Sequence, residues 1–89
     1  EGPVRIGILV FDGVEELDFV GPWEVFGMAA KLDPAEGWGD HGPPQPLLIG
    51  PGVAPVTCAK GLRVLPDHGV QDHPDLDVLL VPGGFGVRA

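Results

Sequence analysis

Val4-Arg5-Ile6-Gly7-Ile8-Leu9-Val10-Phe11 is an aliphatic, β-branched run with one charge near its start, and Asp12-Gly13 breaks it. A near-continuous apolar strand of this kind belongs in a parallel sheet covered on both faces. After the break, Val14, Leu17, Val20, Val25, Phe26, Met28, Ala29 and Leu32 recur at three- and four-residue spacing. That is helical periodicity, with Glu15, Glu16 and Glu24 on the other side as a solvated face. Gly21-Pro22 interrupts it. Proline is tolerated at the first helical position, so the reading is a short turn over 14–20 and a second helix from Pro22 to about Lys31.

Residues 33–46 are so rich in Gly, Pro and Asp that composition alone predicts a loop. Leu47-Leu48-Ile49-Gly50 reads as a short buried strand closed by Pro51-Gly52. Pro55-Val56-Thr57-Cys58 and Leu62-Arg63-Val64-Leu65 flank Ala59-Lys60-Gly61, a hairpin with glycine in the left-handed position. Residues 66–77 are acidic and turn-rich, with one helical turn expected near Val70. Val78-Leu79-Leu80-Val81 is a further apolar strand, and it runs into Pro82-Gly83-Gly84-Phe85-Gly86. Strand, helix, strand, hairpin, strand and glycine turn make the first half of an open α/β sheet. The last strand calls for a helix to cover the sheet, because parallel connections take a dozen or more residues. Residues 1–89 are therefore expected to be the N-terminal part of a single domain whose remainder lies elsewhere.

Composition narrows the partners. The 89 residues carry 13 acids and 5 bases, a net charge of -8, so nucleic acid and anionic membrane are not expected to bind this segment. No apolar run reaches the roughly 20 residues of a membrane span, and Glu1-Gly2-Pro3 does not read as a signal peptide, which makes a cytoplasmic protein the expectation. A single cysteine excludes an internal disulfide and a cysteine-based zinc site. Glycine (15) and proline (11) supply 26 of 89 residues, yet 44% are hydrophobic and arranged in blocks, so the chain is read as folded.

Asp18 lies among apolar neighbours in Leu17-Asp18-Phe19-Val20. A poorly hydrated carboxylate there fits a proton donor or hydrogen-bond partner, and on spacing alone it fits better a helix-cap acid. Gly83-Gly84 ends a buried strand, where exposed N–H groups can form an oxyanion hole, or simply a tight turn. Gly84-Phe85-Gly86-Val87-Arg88-Ala89 also fits the Gly-x-Gly-x-x-Ala dinucleotide pattern, but it follows the last strand here and not the first. Cys58 has no histidine near it in sequence and reads as a buried or interface thiol. His68 and His73 with Asp67, Asp72 and Asp75 match no strong metal template, and a solvated acidic loop is the better reading. Neither a metal nor a cofactor is expected. Phe19, Trp23 and Phe26 read as helical core.

These motifs together resemble the ThiJ/PfpI superfamily. The resemblance is carried by residues 4–32, by Pro55-Val56-Thr57-Cys58-Ala59-Lys60-Gly61-Leu62-Arg63-Val64-Leu65-Pro66-Asp67, and by Val81-Pro82-Gly83-Gly84-Phe85-Gly86-Val87-Arg88-Ala89. The run Leu17-Asp18-Phe19-Val20-Gly21-Pro22-Trp23-Glu24-Val25-Phe26 is nearest to the isonitrile hydratase-like branch. What it implies is a class I glutamine amidotransferase-like fold: a flavodoxin-like three-layer sandwich with a mostly parallel sheet and a small β-hairpin, usually a homodimer. The family's acid, which hydrogen-bonds a reactive cysteine, falls on Asp18, and its oxyanion-hole glycines fall on Gly83 and Gly84. The nucleophilic cysteine belongs on a later strand-to-helix elbow that no residue here matches; Cys58 occupies a hairpin position. The expected function is part of a cysteine-dependent small-molecule hydratase or hydrolase, inactive without the C-terminal half of the fold. Alternatives implied by the same resemblance are a non-catalytic ligand-sensing domain of an AraC-type transcription regulator, and a stress-response thiol protein or deglycase, in which glutamate is more usual than aspartate.

Overall fold

The structure, a computed structural model, describes residues 3–32 and 42–84. Its centre is β1, Pro3–Leu9. Strand side chains alternate between faces, and Ile6, Ile8 and Val10 point into one core with Val14, Phe19, Val56 and Cys58. Gly7 serves the opposite face. A Cβ on it would lie 2.5 Å from Leu76 Cδ1, so the glycine lets Leu76 lie directly on the sheet.

Four strands form the main sheet in the order β5-β2-β1-β6, where β2 is Gly42–Gly50, β5 is His68–Gly69 and β6 is Val78–Leu80. Every pairing in it is parallel. The hairpin forms where the sequence places it, as β3 (Val56–Thr57) antiparallel to β4 (Arg63–Val64), with Gly61 at φ +101°.

Three elements differ from the sequence reading. The turn at 14–20 and the helix from Pro22 are one helix, α1, Glu16–Leu32, with Pro22 inside it. Proline crowds the Cβ of the residue before it, and Gly21 has none, so the helix passes through. The cost is one hydrogen bond: Pro22 has no N–H to offer the carbonyl of Asp18, four residues back. Next, β2 begins at Gly42, within the stretch read as loop; residues 33–41 lie outside the described residues. β5 pairs with β2 only at Ile49 and Gly50. Pro44 and Pro46 share the parity of Leu48, whose N–H points to the β5 side. Among the described residues no strand bonds that side there, so their missing donors are tolerated; Pro43 falls where the β1–β2 register shifts. Lastly, the helical turn expected near Val70 is instead β5 followed by a turn, with Asp72 N–H donating to Gly69 O at 3.3 Å.

Helix α1 covers β1 and β2 on one face. Phe19 is buried and Phe26 half-buried, as a core reading requires, but Trp23 is exposed, with Leu17, Val25 and Met28. On β6, Val78 and Leu79 are also exposed, and Val81 just beyond it. Apolar surface of this extent on a parallel strand marks sheet that ordinarily lies under further structure.

Candidate active site

The strands β1 and β6 are parallel neighbours, so their C-terminal ends emerge side by side. Open α/β sheets place ligands at such ends. Here the segment following β1 and the turn following β6 meet. Gly13 turns the chain with φ +89°, and Val14 forms an isolated antiparallel bridge with Gly84. Glu15 N–H donates to Gly83 O at 3.0 Å, and Gly83 N–H donates to Asp18 Oδ2 at 3.3 Å. The acid and the glycine turn singled out in the sequence are thus in direct contact.

Each glycine has its own reason. A Cβ on Gly83 would sit 3.3 Å from the Asp18 carboxylate oxygen. Gly84 has φ +152°, and a Cβ there would lie 2.5 Å from Gly13 O and 2.8 Å from Val14 Cα. No other residue fits at 84 without moving the backbone on which it rests. The rest of the Gly-x-Gly-x-x-Ala pattern, residues 85–89, lies outside the described residues.

Asp18 is exposed, not poorly hydrated as its sequence neighbours suggested. Leu17 faces solvent and Phe19 the core, so the apolar neighbours point away from the carboxylate. Asp18 sits in the first turn of α1 with Glu16, where negative charge faces the positive end of the helix dipole. Asp18 is thus an acid of the first turn of α1 and not the cap of a second helix at Pro22, and its carboxylate accepts the Gly83 N–H.

Glu15 and Glu16 were expected on a solvated face; both are half-buried and engage the hairpin. Glu16 Oε2 accepts the N–H of Lys60 at 2.8 Å and of Leu62 at 3.3 Å, and Glu15 pairs with the Lys60 ammonium. Burial pushes the Glu16 carboxyl upward, but its own amide, those of Lys60 and Leu62, and the Lys60 charge together hold it below its ordinary value. Lys60 is raised, first by its hydrogen bond to Glu15 and then by the charges of Glu15, Glu16 and Asp18, against some desolvation. Sequence reasoning missed this pair because the partners lie 44 to 46 residues away. The available signal was the hairpin turn at Lys60-Gly61, whose amides need an acceptor.

Cys58 is buried in the core, as its sequence context suggested. Burial raises its thiol, with Glu16 and Asp12 adding to the effect, the opposite of what a nucleophile needs. The acids read as a solvated loop are exposed, and two of them also bind backbone. Asp67 Oδ2 accepts from Leu48 N–H at 2.8 Å, and Asp72 Oδ1 accepts from Gly69 N–H at 2.9 Å. His73 Nδ1 lies 2.7 Å from Pro74 O. Among the described residues there is no cluster of three or more His, Cys, Asp or Glu suited to a metal ion, and no helix long and apolar enough to cross a membrane.

A parallel sheet with the β1 and β6 loops joined through a carboxylate and a glycine pair defines an α/β protein with a candidate site at its strand ends. Residues 4–88 match the DJ-1/PfpI family, and the chain belongs to it. It is 34% identical over 84 residues to an isonitrile hydratase of Pseudomonas putida, spanning 94% of this chain and 32% of that protein. A ThiJ/PfpI family protein from Pseudomonas syringae superposes with a TM-score of 0.73 at 30% identity, over 93% of this chain and 30% of that one. An AraC family transcriptional regulator from Pseudomonas putida superposes at 0.70 with 19% identity, over 93% of this chain and 48% of that one, a likeness of fold alone. The flavodoxin-like architecture expected from the sequence is thereby established. The chain spans about a third of the isonitrile hydratase it matches.

Proposed function

We propose that this chain supplies the acid and the oxyanion-binding glycine turn of a cysteine-dependent active site, and that the complete protein is a small-molecule hydratase or hydrolase. The observation that carries the reading is the hydrogen bond between Gly83 N–H and the Asp18 carboxylate at the ends of β1 and β6. The nucleophile comes from the part of the fold outside this chain, since Cys58 is buried with a raised thiol.

In this mechanism the Asp18 carboxyl hydrogen-bonds the incoming cysteine and supports its thiolate form. The thiolate adds to the electrophilic carbon of the substrate; for an isonitrile this breaks one C–N π bond as the proton shared with Asp18 passes to that carbon. Water then adds to the resulting thioimidate and expels the cysteine sulfur with release of the formamide. Gly84 N–H donates to the negative charge that develops. Gly83 N–H, committed to Asp18 in this structure, orients the acid. By its likeness to isonitrile hydratase the leading substrate class is isonitriles, whose hydration yields N-substituted formamides. The exposed apolar residues of β6 are where the remaining elements of the fold cover the sheet, and those of α1 are where a second copy docks in the homodimer.

The test is Asp18→Ala and Asp18→Asn in the complete protein, assayed by cysteine titration and by turnover of a simple alkyl isonitrile. The expected result is a changed thiol pKa and a loss of turnover on the order of 10²–10⁴-fold. Unchanged titration and unchanged turnover would remove Asp18 from the mechanism. A complete protein with no thiol beside Asp18 is instead the ligand-sensing form of the fold.

A further inference from the structure

The segment 12–18 is gripped from two sides. On one side lies the β3–β4 hairpin: Asp12 Oδ1 accepts from Thr57 N–H at 3.0 Å, and Glu16 Oε2 accepts from Lys60 and Leu62 at 2.8 and 3.3 Å. Backbone bonds reinforce it, with Gly13 N–H to Thr57 O and Ala59 N–H to Val14 O, both 2.8 Å. On the other side lies the glycine turn, held through Glu15 N–H and the Asp18 carboxylate.

Glu16 links the two sides. It is the first residue of α1, and Asp18 follows it within the same turn of helix. Its Oε1 is enclosed and has no hydrogen-bond partner among the described residues, so the two hairpin amides at Oε2 fix the orientation of the whole carboxylate. The bond from Gly83 to Asp18, at 3.3 Å, is at the long end of hydrogen-bond geometry. A small rotation of the first helical turn is enough to make or break it.

We propose that Glu16 is a positioning residue: by holding the hairpin amides of Lys60 and Leu62 it sets the first turn of α1 and so the hydrogen bond between Asp18 and Gly83. The inference rests on the reading of Asp18 and the glycine turn as the site. The hairpin is then more than a decoration on the sheet. It is the outer brace of that site, and changes in the hairpin reach Asp18 through Glu16.

Backbone amide NMR of the complete protein tests this, comparing the parent with Glu16→Ala and with Glu16→Gln, whose amide oxygen still accepts. The expected result is that the Gly83 amide shifts whenever those of Lys60 and Leu62 shift, more in Glu16→Ala than in Glu16→Gln. The Leu48 amide, held by Asp67 elsewhere in the sheet, stays in place. A purely structural loss would move all of them. If Lys60 and Leu62 shift while Gly83 does not, or if none of the three shifts, Glu16 does not position the site and the proposal falls. Should Glu16→Ala fail to fold, Glu16→Gln decides by the same criterion. Failure of the Asp18 reading shows separately, as unchanged thiol titration in Asp18→Asn, and leaves the amide comparison intact.

Discussion

The acids at the beginnings of the short strands and the acids at the strand ends use one chemistry for two purposes. Asp77 precedes β6 and Asp67 precedes β5. Asp77 N–H donates to Arg5 O at 2.8 Å while Asp77 Oδ2 accepts from Arg5 N–H at 2.8 Å. Asp67 repeats the same two-way bond with Leu48, again at 2.8 Å each way. Each aspartate acts as one extra rung of ladder where a short strand begins. At the other end, Glu16 and Asp18 accept backbone N–H groups from the hairpin turn and the glycine turn, and Asp12 accepts one from Thr57 at the end of β3. The first kind lengthens a strand ladder, whereas the second ties a turn to the start of α1. The candidate site therefore lies where carboxylates hold turns, and the short strands are anchored where aspartates extend their ladders.

Gly84→Ala tests the site end most severely. The φ of +152° and the 2.5 Å approach to Gly13 O leave the methyl no room. The expected loss of stability is about 3 kcal/mol or more, read from the denaturant midpoint, with the bridge to Val14 broken. A loss under about 0.5 kcal/mol would show that the turn relaxes freely and is not a fixed donor site.

Asp77→Ala and Asp67→Ala test the other end. Each removes one exposed carboxylate that accepts a backbone N–H, so about 1 kcal/mol of stability is expected to go from each, with turnover of the complete protein unchanged. If either abolished turnover with little loss of stability, the division between the two ends would be wrong.

The same division explains what the sequence made legible. Local features were readable: the β1 run, the hairpin with Gly61 and the buried Cys58, while Asp18, Gly83 and Gly84 were singled out together by the family resemblance. The continuity of α1 was not, because Pro22 reads as a break until Gly21, which lacks a Cβ, is placed before it inside a helix. The start of β2 was hidden for a different reason. Pro44 and Pro46 are incompatible with a paired edge, and only the topology shows that among the described residues β5 does not reach them. The apolar surroundings of Asp18 misled for a third reason: neighbours in sequence point to opposite sides of a helix, so Leu17 and Phe19 say little about the hydration of the residue between them. For Glu16 only the donor side was legible, in the Lys60-Gly61 turn; which acceptor meets it is set by tertiary closure of the hairpin.

The smallest expected effect is the pH dependence of the hairpin, and it separates the brace from the strand latches. Glu16 has a pKa held below its ordinary value in the folded chain. A depressed carboxyl contributes stability that is present above its unfolded value and is lost as pH falls through the folded value. The Lys60 and Leu62 amides are therefore expected to stay in place down to the ordinary carboxylate range and to move only below it. Lys60 behaves in the opposite sense. Its raised pKa contributes stability that is complete below the ordinary lysine value and fades as pH rises through the folded one. Amide spectra across these two windows check both signs. If the Lys60 and Leu62 amides instead moved together with the Leu48 amide at one pH, the transition would be global unfolding, and the hairpin would have no separate hold on the segment that carries Asp18.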